Sequence, residues 1–305
     1  MPDAGPDPRI VSGPVGVEVP ATSANLGPGF DCLGLALELT DSLAGEVVPD
    51  GLEVRVAGEG ADEVARDEGH LVVRAMRAAF SAMGAHPSGL RLVCTNRIPH
   101  SRGMGSSSAA IVGGIVLARA LVEDGATRLD DAAVLSLANR IEGHPDNVAA
   151  ALLGGFVISG KAGDVVWAQQ SPVHRSVSAV LFVPPHGVHT DLTRGLLPET
   201  VPHGDAAANS ARAALLVAAL AGHPDHLLRA TEDFLHQRQR EPAMPESLAL
   251  VGDLRGRGIP AVVSGAGPTV LAFVTDDAGT VAGLGRVGWR TLRQHVGGPG
   301  VAVLM

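Results

Sequence analysis

Pro99-His100-Ser101-Arg102-Gly103-Met104-Gly105-Ser106-Ser107-Ser108-Ala109-Ala110-Ile111-Val112-Gly113-Gly114 joins two kinds of pattern through glycine, serine and little bulk. Before it, Leu90 to Cys94 alternates like a strand. After it, Ser107 to Val122 is apolar on nearly every side, the mark of a buried helix. Gly103 and Gly105 permit positive φ and a close approach of backbone to a ligand, while Ser106 to Ala109 place free N–H groups at a helix start. Those amides and the helix dipole favour an anion, most commonly a phosphate. A capped glycine-serine turn is the plainer reading of the same residues. The stretch is not a Walker loop, because it lacks the Gly-Lys-Ser/Thr ending and Lys161 is the one lysine in the chain. Nor is it a dinucleotide fingerprint, since Ser108 stands where the third glycine belongs. A phosphate-binding lysine and hydride transfer are thereby both set aside.

The chain has 305 residues, 46% of them apolar, enough for a large core divided between two domains. Net charge is −9 and the arginines are scattered, so there is no basic footprint for a nucleic acid. Aromatics are 3% and tyrosine is absent, which removes a base-stacking platform and a tyrosine acid. No apolar run reaches the ~18 residues of a membrane span, and Met1 to Pro8 lacks the charge pattern of a signal peptide. Cys32 and Cys94 sit in apolar surroundings without metal spacing, as reduced thiols of a cytoplasmic protein would.

After a loose lead of about ten residues, Val15 to Pro20 reads as a strand. Ala21 to Asp31 then reads as an irregular turn before a second strand, Leu33 to Leu39. Leu52 to Val56 is a further strand and His70 to Met83 a helix. Asp131 to Ile141 is helical, and Glu142-Gly143-His144-Pro145-Asp146-Asn147 leads into another helix from Val148. Gly143 can end the first and Asp146 or Asn147 cap the second. A glutamate beside a phosphate site, with a serine hydroxyl, suits magnesium; Glu142-x-His144 has no third ligand for zinc. Phe156 to Ser159 and Val165 to Ala168 form a hairpin that leaves Lys161 on a solvated tip. A new strand, Ser178 to Val183, follows a border near Gln170, then a helix-rich middle, then strand, tight turn and strand from Ala261 to Phe273.

Taken together, Pro99-x-x-x-Gly103-Met104-Gly105-Ser106-Ser107, the segment around Asn25 and Asp31, and Ser264-Gly265-Ala266-Gly267-Pro268-Thr269 resemble the three motifs of the GHMP kinases. Ser23 to Asp31 and Gly143 to Asn147 resemble the homoserine-phosphorylating branch in particular. The resemblance implies an α+β fold of two domains, residues 1–169 and 170–305. The first would carry a left-handed βαβ crossover and the second would be ferredoxin-like, with the site between them.

It also implies the chemistry. ATP would be held by Pro99, Arg102, Gly103, Met104, Gly105, Ser106, Ser107 and Ser108, with Gly265 and Gly267 closing the phosphate side. Ser107 and Glu142 would hold Mg2+. L-homoserine would meet Asn25, Asp31, His144, Asn147, Arg194 and Arg240, with Asn147, Asp31 and His144 nearest the chemistry. His70 stands where the family pattern has asparagine. A homodimer in the cytoplasm, touching neither nucleic acid nor membrane, is expected. A mevalonate- or sugar-type kinase of the same superfamily and a nucleotide-binding regulator without catalysis are the alternatives.

Overall fold

The computed structural model describes residues 8–275 and 278–304, so most of the proline-rich lead lies outside the described residues. Strand β1 (Val15–Asn25) does not stop at Pro20. The segment expected as an irregular turn is strand on both sides. β1 runs to Asn25, and β2 (Gly29–Val48) turns back against it with Asn25 opposite Gly29. The irregularity lies in two register shifts and in left-handed backbone at Asn25, Leu26, Gly27 and Asp31. Thr22, Ser23 and Asn25 are buried, so residues that read as loop chemistry are strand residues facing inward.

β2 is 20 residues long, far beyond Leu39, because its two halves serve different neighbours. Leu33 to Leu35 pair with β5 (Phe156–Ala162), and Ser42 to Val48 with β4 (Gly89–Asn96). β3 (Leu52–Gly58) lies parallel to β4, and the chain crosses between them through α1 (Leu71–Ala82), a βαβ unit. β6 (Val165–Ser171) adds to β5, and β11 (Ala302–Leu304), late in the chain, returns to pair with β1. α2 (Ser106–Ala120) is buried almost throughout, as its all-round apolar character requires. A short turn of helix, α3 (Gly125–Arg128), leads to α4 (Asp131–Glu142), whose first turn is capped by the Asp130 carboxylate on the Ala133 N–H at 2.8 Å. Proline at the first position of α5 (Pro145–Leu153) costs no hydrogen bond.

The second sheet holds β7 (Ser178–Val183), β8 (Ala261–Val263), β9 (Val270–Val274) and β10 (Arg290–His295). Between β7 and β8 come α6 (Thr190–Gly195), α7 (His203–Gly222), α8 (Leu227–Ala230) and α9 (Pro245–Gly256); α10 (Ala278–Ala282) precedes β10. All pairs are antiparallel and the order is β10-β7-β9-β8. That is the β-α-β-β-α-β arrangement of a ferredoxin-like unit. Period-two alternation divides the faces. Ala179, Leu181, Leu271 and Phe273 join the main core, while Val180, Phe182, Val270 and Ala272 pack with Leu250 and Leu254 of α9. Both cysteines are free, and burial pushes the thiol of Cys32 up to about 11 and that of Cys94 up to about 12.

The seam between β2 and α5 is tight at Gly34. A Cβ there would lie 2.2 Å from the Asp146 carbonyl oxygen and 3.1 Å from Ala150 Cβ. Gly34→Ala is therefore expected to lower stability by about 1–3 kcal/mol, the usual cost of overpacking. Urea denaturation measures it, and an unchanged midpoint would mean that α5 yields freely.

Candidate active site

The loop expected to hold phosphate is built as its glycines demand. Gly103 has φ 70° and Gly105 φ 69°, both left-handed, and Gly105 is the residue from which α2 starts. The β8–β9 turn buttresses the loop from the other domain. Ser264 Oγ donates to the Gly103 carbonyl at 2.6 Å and lies 2.7 Å from the Ser23 hydroxyl, and the Thr269 N–H donates to the Arg102 carbonyl. Glu142, the last residue of α4, meets the first turn of α2. Its two carboxylate oxygens accept from Ser107 and Ser108 hydroxyls, each at 2.8 Å. A carboxylate at that position also complements the positive end of the helix.

Gly143, at φ 99°, ends α4 and turns the chain into α5. There the Asp146 carboxylate, only 2% exposed, accepts from the Asn147 N–H at 2.8 Å and lies 3.1 Å from His144 Nδ1. Burial disfavours a charged His144 ring, but Asp146, with Glu142 behind it, outweighs burial and holds its pKa above the ordinary value. Asn147 is fixed in turn by Thr22, whose hydroxyl donates to Oδ1 at 2.7 Å. The asparagine amide nitrogen is left for the cleft.

The opposite wall is made of charge. The Arg194 guanidinium forks onto Asp31, at 2.6 Å and 3.2 Å, and that pairing raises the arginine's pKa further. Asn25 ties this wall together: its Nδ2 donates to the Gly265 carbonyl at 2.8 Å and its Oδ1 accepts from the Asp31 N–H at 3.0 Å. Arg240 is 1% exposed. Its Nη1 donates to the Gly265 carbonyl at 3.1 Å, and its Nε has no partner among the described residues. Burial, with Arg194 nearby, lowers its pKa to about 10, against the pull of Asp31 and Asp233, so it remains a cation at neutral pH.

Residues 70–155 match the family model for the GHMP kinases N terminal domain. Over 302 residues the chain is 56% identical to the homoserine kinase of Streptomyces coelicolor, covering 99% of this chain and 97% of that one. Against the homoserine kinase of Streptomyces avermitilis it is 55% identical, with 99% and 98% covered. The chain belongs to the homoserine kinase family. The crystal structure of homoserine kinase from Cytophaga hutchinsonii matches with TM-score 0.85 over 97% of this chain and 99% of that one; at 23% identity it shows a common fold. The α+β kinase architecture expected from the three motifs is the one observed.

Seen as a member of this ATP-dependent kinase family, the chain has two adjoining cavities that share Ser101, Ser106 and Ser107. One, of about 310 Å³, has an apolar wall including Leu43, Val64 and Val72 with His70 and Asn96 among its polar groups. The other, of about 140 Å³, brings together Asn25, Gly103, Gly105, Glu142, His144 and Asn147, and also Arg194, Arg240 and Gly265. Five of the expected ATP residues stand behind the walls; Ser108 is fully buried with its hydroxyl on Glu142. Pro99 and Met104 are buried under the loop, and Gly267 packs against Met244. The Arg102 guanidinium is spent on the carbonyls of His100, Pro184 and Pro185. Asp31 is occupied by Arg194. Lys161 is exposed but not merely solvated: its Nζ donates to the Gly143 carbonyl, a cation at the carbonyl end of α4. Thr22 was missed as a site residue; Ser264 and Asp146 stood inside motifs read from the sequence, Asp146 as a helix cap, but without the contacts seen here.

Proposed function

We propose that this chain transfers the γ-phosphoryl group of ATP to the side-chain hydroxyl of L-homoserine, giving O-phospho-L-homoserine on the route to threonine. The observation that carries this reading is one small cleft with two chemically different ends. At one end are the amides of the Gly103–Ser108 loop, suited to phosphate; at the other are Arg240 and Arg194, the latter bonded to Asp31, charges suited to the carboxylate and ammonium of an amino acid. The apolar cavity beyond Ser106 suits the adenine base. Asn147 lies between the two ends. An asparagine cannot act as a base, and Asp146 is engaged with His144 and a backbone N–H. Direct transfer is the consequence: a loose phosphoryl transition state needs alignment and charge neutralisation more than proton abstraction. Asn147 orients the hydroxyl, and His144 presents its other ring nitrogen to the cleft.

Magnesium fits the donors present. Glu142 and the Ser107 hydroxyl offer hard oxygens beside the phosphate amides, and among the described residues there is no cluster of three His, Cys, Asp or Glu for a softer ion. The ion would neutralise charge on the transferred phosphoryl group. Ser107→Ala and Glu142→Ala are each expected to raise the magnesium concentration needed for half-maximal turnover, by about tenfold or more for Glu142, with little change in thermal stability. Unchanged magnesium dependence of Glu142→Ala would remove it from the metal shell. A cytoplasmic location and a homodimeric state go with this reading; sedimentation tests the second.

ADP release coupled to added homoserine tests the function directly. Homoserine should outrun mevalonate and sugars by orders of magnitude. Faster turnover of an uncharged alcohol would reassign the chain to another branch, and ATP binding without turnover on any alcohol would make it a regulator.

A further inference from the structure

His236 is fully buried and lies between the two domains, yet the phosphoryl transfer described above gives it no task. Its Nε2 lies 2.7 Å from the carbonyl oxygen of Gly27, in the turn between β1 and β2. A carbonyl only accepts, so Nε2 carries the hydrogen. Its Nδ1 lies 3.0 Å from Arg240 Nη1. A guanidinium only donates, so Nδ1 accepts. The two contacts together admit one form of the ring, neutral with its proton on Nε2.

We propose that His236 is a positioning residue that aims Arg240 at the substrate carboxylate, by bridging the guanidinium to the Gly27 turn in its Nε2–H tautomer. This rests on the reading of Arg240 as a carboxylate ligand. The surroundings enforce the bridge. The same Arg240 Nη1 also donates to the Gly265 carbonyl, so the guanidinium is referenced to a turn of each sheet. Phe30 closes the set: its ring centroid is 5.2 Å from that of His236 and 5.7 Å from the Arg240 guanidinium carbon. Asp233, whose Oδ1 is 3.6 Å from His236 Nε2, spends its carboxylate on the N–H groups of Leu235, His236 and Gln237, which fixes the turn that carries the histidine. Burial pushes the imidazole pKa below its ordinary value, against the pull of Asp233 and with the push of Arg240, in keeping with a neutral ring. Nη1 is the one guanidinium nitrogen with a protein partner among the described residues, which leaves Nη2 for a ligand in the cleft that Arg240 lines. A buried arginine would otherwise choose among several rotamers; here one is selected before substrate arrives.

Two amides separate the halves of the bridge. The glutamine amide reaches the position of Nε2, and the asparagine carbonyl that of Nδ1. His236→Gln should keep the Gly27 contact and fold, yet raise the homoserine KM about tenfold or more, with kcat and the ATP KM within about twofold. His236→Asn keeps an acceptor for Arg240 and should stay within about threefold of the unchanged enzyme in homoserine KM. In an Arg240→Leu background, His236→Gln should add nothing. If Arg240→Leu raises the homoserine KM while His236→Gln does not, the bridge is overturned and the carboxylate reading stands. Equal rises in the ATP and homoserine KM for Gln and Asn alike would make His236 a packing residue and also overturn it. If Arg240→Leu itself leaves homoserine binding unchanged, the carboxylate reading falls and takes this inference with it.

Discussion

Gly105→Val is expected to abolish ATP binding. The glycine sits at φ 69°, where a β-branched residue is strongly disfavoured, and it begins the helix whose amides are proposed to hold the phosphates. The first clash is with the protein itself. An added Cβ would lie 1.9 Å from Thr22 Oγ1 and 3.2 Å from Thr22 Cβ, both inside the protein. Thr22 cannot retreat easily, being fully buried, with its N–H bonded to the Met104 carbonyl and its hydroxyl to Asn147. Relief must come from the loop, which carries Ser106 and Ser107 away from their places. Calorimetry with ATP measures the outcome, alongside circular dichroism to show that the chain still folds. Unaltered nucleotide affinity in a folded variant would defeat the phosphate-loop assignment. Because Thr22 links the loop to Asn147, Gly105→Ala should damage turnover more than ATP affinity.

That linkage marks where the sequence stops being legible. The phosphate loop can be read from letters because its requirements are local: glycines at positive φ, small residues at a helix start, an apolar helix after it. Glu142 and His144 stand out for the same reason, in a short turn dense with functional side chains. Thr22 cannot be found this way. Its partner Asn147 is 125 residues distant, and a threonine in a strand is ordinary. His236 is joined to Gly27 across 209 residues, and only the closure of the two domains turns a plain histidine into a bridge. The β1–β2 hairpin misleads for a different physical reason. Polar residues normally mark loops because buried polar groups need partners, and here Asn25 and Ser23 find them in the β8–β9 turn. The same logic separates the two arginines. Motif position placed both at homoserine, but only the structure shows that Arg194 already has Asp31 while Arg240 has a donor to spare.

Arg240→Leu accordingly should raise the homoserine KM by about one to two orders of magnitude, corresponding to the ~1.5–3 kcal/mol of a hydrogen bond to a charged group, while the ATP KM barely moves. Arg194 cannot take over the task. To meet a substrate carboxylate it must share or leave Asp31, whose two oxygens it holds at 2.6 Å and 3.2 Å. Arg240 gives up nothing comparable, since among the described residues its Nη1 alone is bound to protein. Leucine keeps much of the buried stem's volume, so the cost should fall on binding more than on packing, although the Gly265 carbonyl and His236 Nδ1 lose a donor. Lysine should restore part of the affinity, since it returns the charge without the planar fork. Selectivity should shift with affinity: without the arginine, an uncharged alcohol no longer leaves a buried cation unpaired and should be discriminated against less. Initial-rate kinetics on homoserine and on the corresponding amino alcohol lacking the carboxylate decide it. Unaltered homoserine kinetics in Arg240→Leu would sink the assignment, whereas a KM rise confined to the carboxylate-bearing substrate would establish Arg240 as the residue that makes this kinase choose an amino acid.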